Sequence, residues 1–410
     1  MSINILFSDN KVESTVTAIS HLQSCGTWEA FDARAISFIT KFSSLLLKFP
    51  SVNKYPDLVV LAYWFRRASI INLSKEYLND PGIIRMGRGI SLHIAPSNVD
   101  TIFVYSFFLS LLAGNTSFIR VSQGESPQLK IITQVFKEIY DSGDIEVAGR
   151  FVICTYPHES EATKIVSESC ELRIIWGGDE TVNTITAVPL KPTALELKFP
   201  NRTSFSAISL DSLEKINDQD LTRLCSNLYS DVQLFGQQAC SSPMAIYFVG
   251  SPKKNIQSER FWEFFYIAAK NHDITSSELM DRLVSASSMA ISGIINKAKH
   301  SFGSKDIVLL DGNLFSKSSF RDGHPGNGFL IQYFISSITD LAEHIHSQDQ
   351  TLSIFGFDRD EIYSLIQSLE NRGLDRIVPI GEALDFSHIW DGVDLLESMS
   401  RKIDMSKLSE

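Results

Sequence analysis

The chain has 410 residues, and a prior of about 150 residues per domain predicts two or three domains. Its composition, with 44% hydrophobic and 21% charged residues, is that of a globular protein and excludes disordered and low-complexity classes. The formal net charge of −11 argues against a nucleic-acid partner, because binding to a phosphate backbone requires clustered Lys and Arg.

Five cysteines stand at positions 25, 154, 170, 225 and 240, without any Cys-x-x-Cys pair. This pattern favours reduced thiols over a disulfide framework or a zinc site. The N-terminus lacks the basic start and apolar run of a signal peptide. The most apolar stretch, residues 102–113, is too short to span a bilayer. We therefore expect a cytoplasmic protein with no membrane span.

The first half of the chain changes rhythm near residue 89. Before it, apolar spacing predicts amphipathic helix over residues 13–48 and further helix over 55–77. After it, short apolar runs alternate with helical segments. We predict strands at 89–96, 117–121, 150–154 and 172–176, and helices at 101–113, 127–140 and 158–168. Such alternation is typical of crossover units, a parallel sheet and a nucleotide-binding architecture.

The second half partly repeats this pattern. We predict strands at 205–210, 244–249, 307–310, 329–334 and 353–357, a helix at 219–229, and helices through roughly 257–300. The expected fold class is therefore α/β, with two Rossmann-like domains and a helical N-terminal segment. The expected domains are 1–206 and 207–390, and a tail over 391–410 returns to the first domain or to an oligomer contact.

Common phosphate and zinc signatures are absent, since the sequence has no Gly-x-Gly-x-x-Gly, Walker loop or His-Glu-x-x-His. A cysteine before a strand, Cys240 in Phe235-Gly-Gln-Gln-Ala-Cys240-Ser-Ser, is a candidate nucleophile. The usual role of such a cysteine is that of a small buried hydrophobe. Here the polar neighbours Gln237, Gln238 and Ser241 favour a reactive turn instead.

Two further segments follow predicted strands, where α/β proteins place ligands. Asn98 in Ala-Pro96-Ser-Asn98-Val is either a ligand-contacting amide or a turn or helix-capping residue. Trp176-Gly-Gly-Asp179 joins a strand to a helix, whose N-terminal N–H groups can bind phosphate. An ordinary turn capped by Asp179 is the alternative.

These segments, in this order, resemble the aldehyde dehydrogenase superfamily and within it the acyl-CoA reductase family. The loop around Asn98 is similar to that family's Pro-Trp-Asn box, without the tryptophan. The segment from Gly114 to Gln123 resembles its Gly-Asn-Thr box, with Arg120 in place of a lysine. Gly236-Gln-Gln-Ala-Cys240 resembles the nucleophile box, and the ending from Arg376 to Arg401 is similar to the acyl-CoA reductase branch.

Two departures from the superfamily concern glutamates. The general base falls either on Lys198 or, in the other alignment, on Glu196; we favour Lys198, because Arg202-Thr-Ser then leads directly into a strand. The glutamate that contacts the coenzyme ribose is not evident near Gly326-Asn-Gly-Phe329.

The resemblance implies reduction of an acyl thioester, either acyl-CoA or acyl-protein, to an aldehyde through an S-acyl-cysteine. It assigns catalysis to Cys240 and Asn98 and requires no metal. The residues assigned to the coenzyme are Pro96, Arg120, Ser122, Gln123, Trp176, Gly177, Gly178 and Asp179.

NADPH is expected as coenzyme, with NADH as the alternative, because Arg120 is cationic and Gln123 replaces an acidic residue that would repel a 2′-phosphate. Two other functions stay open: a cysteine acyltransferase or thioesterase with His324 or His388 as base, and an inactive coenzyme-binding subunit. A homo-oligomer and an acyl-transferring or acyl-activating partner enzyme also stay open.

Overall fold

The protein is described by a computed structural model that covers residues 3–9, 12–96, 99–124, 126–254, 256–270, 274–298, 308–316, 318–321 and 323–407. The chain forms two compact units. The first unit comprises Met1–Asn201 together with Phe386–Glu410, and the second unit is Arg202–Asp385. Among the described helices, none combines the length and apolar character that crossing a membrane requires.

The strands, in chain order, are Asn4–Phe7 (β1), Ile83–Gly87 (β2), Ile90–Ile94 (β3), Thr116–Arg120 (β4), Phe151–Thr155 (β5), Leu172–Trp176 (β6), Leu195–Phe199 (β7), Thr203–Ser209 (β8), Pro243–Val249 (β9), Ile295–Ala298 (β10), Val308–Gly312 (β11), Phe329–Ile335 (β12), Asp349–Phe355 (β13), Arg376–Pro379 (β14), Ile389–Trp390 (β15), Val393–Asp394 (β16) and Ser400–Asp404 (β17).

The α-helices are Thr15–Ser24 (α1), Ala33–Lys48 (α2), Pro56–Trp64 (α3), Arg67–Tyr77 (α4), Thr101–Leu112 (α5), Pro127–Asp141 (α6), Ile145–Ala148 (α7), Ala162–Ser169 (α8), Asp179–Thr186 (α9), Leu210–Lys215 (α10), Asp218–Gln233 (α11), Ile256–Ala268 (α12), Ser276–Ile291 (α13), Arg359–Ser368 (α14) and Leu395–Met399 (α15). Short 3-10 turns cover Val52–Lys54, Pro252–Lys254 and Ile338–His344.

The first unit is built on a sheet of order β1-β5-β4-β3-β6-β7, in which β1 alone of the described strands runs antiparallel. Helices cover both faces, so each central strand is buried throughout. Alternate side chains enter two separate apolar clusters: Ile174 packs on the α2 and α5 side, and Ile175 packs on the α1 and α8 side. The predicted α/β class is confirmed for this unit.

The helix predicted over 13–48 is wrong as a single element, because α1 ends at Ser24 and α2 begins at Ala33. Gly26 has a φ of 63°, which ends the helical path. The segment then pairs with other backbone: the Trp28 N–H donates to the Gly114 carbonyl at 2.9 Å, and the Ala30 N–H donates to the Arg85 carbonyl at 2.8 Å. Asp32 then caps α2.

The second unit is built on a sheet of order β10-β11-β12-β9-β8-β13-β14, parallel except for the pairing of β10 with β11. The helical stretch predicted to continue to residue 300 is wrong, because α13 ends at Ile291 and β10 follows. Gly293, with a φ of 70°, makes this turn. Two apolar clusters lie on the two faces of the sheet, which accounts for its near-continuous Val, Ile, Leu and Phe strands.

The unit boundaries differ from the expected ones at 206/207 and 390/391. A boundary at 206/207 would divide β8, so the change of unit falls at 201/202 instead. The C-terminal return begins at Phe386, since its ring stacks on Tyr105 with centroids 5.0 Å apart. Further along, Leu396 and Met399 are buried in the first unit's core. The return is therefore part of the first unit and longer than expected.

A buried carboxyl closes the end of the second unit. Asp231 on α11 is 2% exposed and accepts hydrogen bonds from the N–H groups of Gly381, at 2.7 Å, and Ala383, at 3.2 Å. Burial raises the pKa of Asp231 to about 7, against the opposing effect of these two N–H donors. Asp231 therefore holds the turn after β14 in place, although burial disfavours the charged form of its carboxyl group.

The first prediction concerns the pH dependence of stability. Folded Asp231 holds a proton at pH values where an unfolded aspartate, with a pKa of ~3.9, has lost it. Its contribution to the free energy of unfolding is thus present at low pH and lost as the pH rises through about 7. Between pH 5 and pH 8 the loss should be on the order of 2 kcal/mol. Urea unfolding of the Asp231→Asn variant should show a smaller fall than the wild type.

The exposed Asp360, at the start of α14, provides the control. Asp360→Asn should retain the wild-type pH dependence. If Asp231→Asn and the wild type lose the same stability over this range, Asp231 does not titrate as expected.

Candidate active site

The carboxyl ends of β3, β4, β5, β6 and β7 lie along one edge of the first unit's sheet. From the adjacent pair β3 and β6, the strand order runs outwards through β4 and β5 on one side and to β7 on the other. Open α/β sheets bind ligands at such a switch point, because the flanking loops diverge there. We therefore call the carboxyl ends of β3 to β7, with the loops that follow these strands, the candidate ligand edge.

The loop after β3 carries two predicted site residues. Pro96 is half-buried at the end of the strand, and Asn98 lies outside the described residues. The next described helix, α5, begins at Thr101 without a side-chain cap from Asp100. The structure thus places Pro96 at the ligand edge.

Trp176, predicted to contact a coenzyme, is a core residue. Its indole is 5% exposed, lies 4.0 Å from the Phe199 ring in a stacked pair, and donates its N–H to Ser106 Oγ at 3.1 Å. Only its backbone belongs to the ligand edge. The aromatic side chain aligns the ends of β6 and β7.

The glycine pair after β6 leads into α9 with an open N-terminus. Gly178 caps α9 without a side-chain hydrogen bond, so the alternative of a turn capped by Asp179 is not observed. Instead, Asp179 Oδ1 accepts from the Asn201 N–H at 3.1 Å. Asp179 and Glu180 add negative charge to the first turn, which opposes binding of a phosphate at this terminus.

Arg120, at the end of β4, is 7% exposed. Its guanidinium forms no ion pair within the described part of the chain, and one Nη donates to His158 Nε2 at 3.3 Å. Ser122 is half-buried and Gln123 is exposed just beyond it. A buried guanidinium without a carboxylate is a suitable group to receive an anion from outside. His158 had no predicted role, although its position just after β5 places it at the same edge.

Glu196 and Lys198 on β7 have different surroundings. Glu196 accepts from Arg173 Nε at 2.6 Å and from Thr186 Oγ1 at 3.3 Å, and Arg173 is 1% exposed. This carboxylate neutralises a buried cation and is committed to that role. Lys198 is exposed one step before the strand ends.

Cys240 lies in the turn before β9, at the amino edge of the second unit's sheet. It is half-buried and forms no disulfide, whereas Cys154, Cys170 and Cys225 are buried. Burial raises the pKa of the thiols of Cys170 and Cys225 to about 12, so they stay protonated and inert. The Cys240 carbonyl accepts from Ser204 Oγ at 2.7 Å, which ties the turn to β8.

Gln237 holds the turn of Cys240 in place. Its backbone has a φ of 60°, and its side chain is 1% exposed. The amide NH2 donates to the carbonyls of Pro243 at 2.7 Å and Phe329 at 2.9 Å. The amide oxygen accepts from the N–H groups of Gly328 at 2.9 Å and Phe329 at 3.1 Å. We call this four-bond arrangement the Gln237 clamp.

The loop before β12, residues 326–328, is thereby joined to the turn of Cys240. The Asn327 N–H donates to the Gly236 carbonyl at 2.9 Å, and Arg282 on α13 donates to the Asn327 carbonyl at 3.2 Å. A Cβ on Gly326 would come within 2.3 Å of the Gln238 side chain. This loop is the one in which the sequence shows no coenzyme glutamate, and its backbone supports the Cys240 turn.

The histidines considered as bases have other surroundings. Burial lowers the pKa of His324 to about 4, and its Nδ1 accepts from the Gly326 N–H at 3.2 Å. His388, in the first unit, lies 3.9 Å from the Asp394 carboxylate. No group of three or more His, Cys, Asp or Glu side chains suited to a metal occurs among the described residues.

The Gln237 clamp generates the second prediction. Gln237→Ala leaves buried N–H and carbonyl groups of Gly328, Phe329 and Pro243 without partners, which should cost roughly 2–4 kcal/mol. The freed turn should also expose its thiol, so Cys240 should react faster with iodoacetamide, as mapped by mass spectrometry. Gln238→Ala, which removes one hydrogen bond of an exposed side chain to the Pro325 carbonyl, is the control. Equal unfolding midpoints for both variants would contradict the clamp.

Comparison with known proteins bears on both units. Residues 73–263 match the family model described as acyl-CoA reductase (LuxC). The long-chain acyl-protein thioester reductase of Aliivibrio fischeri is 23% identical over 317 residues, which cover 72% of this chain and 58% of that protein. The chain thus spans less than two thirds of the length of the curated relatives it matches.

Solved structures share the fold at low sequence identity. An NAD-dependent aldehyde dehydrogenase from Sinorhizobium meliloti superimposes with a TM-score of 0.68 at 11% identity, covering 97% of this chain and 88% of that one. A 1-pyrroline-5-carboxylate dehydrogenase from Thermus with bound NAD gives a TM-score of 0.66 at 12% identity, covering 95% and 84%. The predicted resemblance is confirmed: this chain is similar to the acyl-CoA reductase (LuxC) family over residues 73–263 and has an aldehyde dehydrogenase-like fold.

Proposed function

We propose that the protein reduces an acyl thioester, acyl-CoA or acyl-protein, to an aldehyde with NADPH, through an S-acyl intermediate on Cys240. The observation that carries the proposal is the family match over residues 73–263, which includes both the ligand edge and the Cys240 turn. The names of the relatives, long-chain acyl-protein thioester reductases, support a thioester substrate.

The covalent step belongs to Cys240. Its thiolate attacks the thioester carbonyl, the carbon–sulfur bond to the carrier breaks, and the carrier leaves as a thiol while the acyl group stays on Sγ. The Gln237 clamp and the Ser204 bond to the Cys240 carbonyl hold the turn through this step. On the family resemblance, the Cys240 N–H and the Asn98 amide stabilise the oxyanion.

The described residues fit a phosphorylated coenzyme at the ligand edge. Arg120, buried and without a carboxylate partner there, would hold an anionic group, with Ser122 and Gln123 beside it. Gly177 and Gly178 leave the end of β6 without bulky side chains. A bound nicotinamide would supply the hydride that converts the acyl group to the aldehyde and returns the Cys240 thiolate.

The β7 residues support reduction over hydrolysis. A hydrolytic aldehyde dehydrogenase activates water with a glutamate, and such general-base help is typically worth ~10²–10⁴ in rate. Glu196 is held by Arg173, and Lys198 has no carboxylate that could take the place of the glutamate. The S-acyl group is therefore protected from water and available to hydride or to a thiol.

The cysteine–histidine alternative is less well supported. His324 has a pKa near 4 because it is buried, which makes it a poor base at neutral pH. An activity assay distinguishes a reductase from an inactive coenzyme-binding subunit. The protein with NADPH and a panel of acyl-CoAs should consume NADPH and release a trappable aldehyde; an inactive subunit should bind NADPH without turnover.

The third prediction is that Cys240 carries the acyl group. Labelled acyl-CoA, added without coenzyme, should label the wild type on the Cys240 peptide and should leave Cys240→Ala unlabelled. Cys25→Ala, which alters the other half-buried cysteine, should label like the wild type. Label that persists in Cys240→Ala would assign the acyl group to another residue.

The fourth prediction concerns Lys198. With aldehyde and NADP⁺ in the absence of a thiol, the wild type should release little free acid, and Lys198→Glu should release more. Glu196→Gln is the matched control on the same strand: it should lower the unfolding midpoint, because Arg173 loses its carboxylate, without changing acid release. Rapid acid release by the wild type that Glu196→Gln abolishes would make Glu196 the base.

A further inference from the structure

The pairing of Arg120 with His158 is unusual for a buried guanidinium. Arg150, just before β5, and Arg173, on β6, are also buried, and they donate to backbone carbonyls or to a carboxylate. Arg120 donates instead to an imidazole nitrogen, 3.3 Å away, and lies over the Tyr156 ring at 5.9 Å. This leaves its positive charge uncompensated within the described part of the chain.

The hydrogen bond fixes the role of one imidazole nitrogen. Because a guanidinium only donates, His158 Nε2 accepts in this contact. A proton on Nε2 would place a second cation against Arg120. The ring itself is exposed, on the loop that follows β5. It is therefore accessible to both a ligand and the solvent.

Among the described residues, charged and titratable groups that neighbour this pair along the chain lie on β4, on β5, on the loop after β5 and on α8. Arg120 ends β4; Cys154 on β5 and Tyr156 beyond it lie beneath the guanidinium, both buried and uncharged because burial raises their pKa values. On the loop that carries His158, Glu159 is exposed. Glu161 lies 4.0 Å from Lys164 of α8. A phosphate dianion arriving here would meet Arg120 as its principal fixed positive charge.

We propose that His158 is a specificity-determining residue that, with Arg120, selects the 2′-phosphate of NADPH by taking up a proton. In the empty pair, Nε2 accepts from Arg120. When the phosphate arrives, Nε2 gains a proton from solvent and donates to a phosphate oxygen, and the Arg120 Nη donates to the same group. His158 Nε2 thus changes from a hydrogen-bond acceptor to a donor, and the phosphate receives hydrogen bonds from two cationic groups. This inference rests on the proposed use of a nicotinamide coenzyme.

The test measures protons as well as affinity. NADPH and NADH are titrated into the full-length protein by calorimetry at pH 8, in buffers of different ionisation enthalpy. A phosphate monoester, with a second pKa of ~6, is already dianionic there and gains or loses almost no proton itself. NADPH should bind with net uptake of a fraction of a proton, and NADH should bind with none.

Two variants locate the proton. His158→Gln retains an acceptor for Arg120 but cannot titrate; it should abolish the uptake and lower the preference for NADPH over NADH by about tenfold in Kd, equivalent to ~1.4 kcal/mol. His21→Gln, which changes a histidine of α1 paired with Asp9 at 3.2 Å, should leave the uptake unchanged. Adenosine 2′,5′-bisphosphate and AMP should reproduce the contrast without the nicotinamide.

Each outcome bears on a different statement. Equal proton counts for NADPH and NADH, or uptake that persists in His158→Gln, would overturn the role of His158 while leaving the reductase proposal intact. Uptake specific to NADPH without reduction of any acyl thioester would support His158 and overturn the reductase. Failure of all four ligands to bind would overturn both.

Discussion

The geometry of the Cys240 turn depends on one buried amide. Two irregular loops meet at the amino edge of the second sheet, and irregular backbone inside a protein has N–H and carbonyl groups that water cannot reach. Gln237 satisfies four such groups from one side chain, with both halves of its amide in use. It does so from a left-handed backbone conformation, which a non-glycine residue adopts only when its surroundings compensate. Cys240 therefore lies on a turn that packing and hydrogen bonding hold in one geometry.

The first unit solves the same problem with arginines. Arg150 donates to the carbonyls of Cys25 at 3.0 Å and Gly26 at 2.9 Å, and its guanidinium lies 3.8 Å from the Trp28 ring centroid. Burial lowers the pKa of Arg150 to about 10, which shows how far this cation is from water. The backbone carbonyls at the break between α1 and α2 thus accept hydrogen bonds from Arg150, which is distant in sequence. Arg120 differs from Arg150, because its hydrogen bond to His158 leaves the guanidinium charge available to an anionic ligand.

The spacing of apolar residues and the sequence motifs predicted those parts of the fold that depend on local sequence. The strand at 172–176 and the helix from Thr101 follow from continuous apolar runs, and both are observed. The single helix over 13–48 was wrong because the pairing of Trp28 and Ala30 with distant backbone is a tertiary constraint that no local pattern carries. Short edge strands such as β1 and β14 were missed for the same reason. At the candidate site, Trp176 was assigned to the coenzyme from the family resemblance, whereas its indole lies in the core.

The residues that depart from the superfamily pattern are those that the fold reuses. In residues 326–328, where the sequence shows no coenzyme glutamate, the N–H groups of Gly328 and Asn327 donate to Gln237 and to the Gly236 carbonyl, so this loop stabilises the Cys240 turn. Glu196, the alternative candidate for a general base, neutralises Arg173, whose other donors bind Ser167 on α8 and the Val188 carbonyl just after α9. Moving the carboxylate away would leave the buried Arg173 guanidinium without a counter-ion, at a cost of about 3–5 kcal/mol in stability. The same ion pair that secures the edge of the sheet thus keeps the Glu196 carboxylate on Arg173, and this is the physical reason that favours the proposed reduction over hydrolysis.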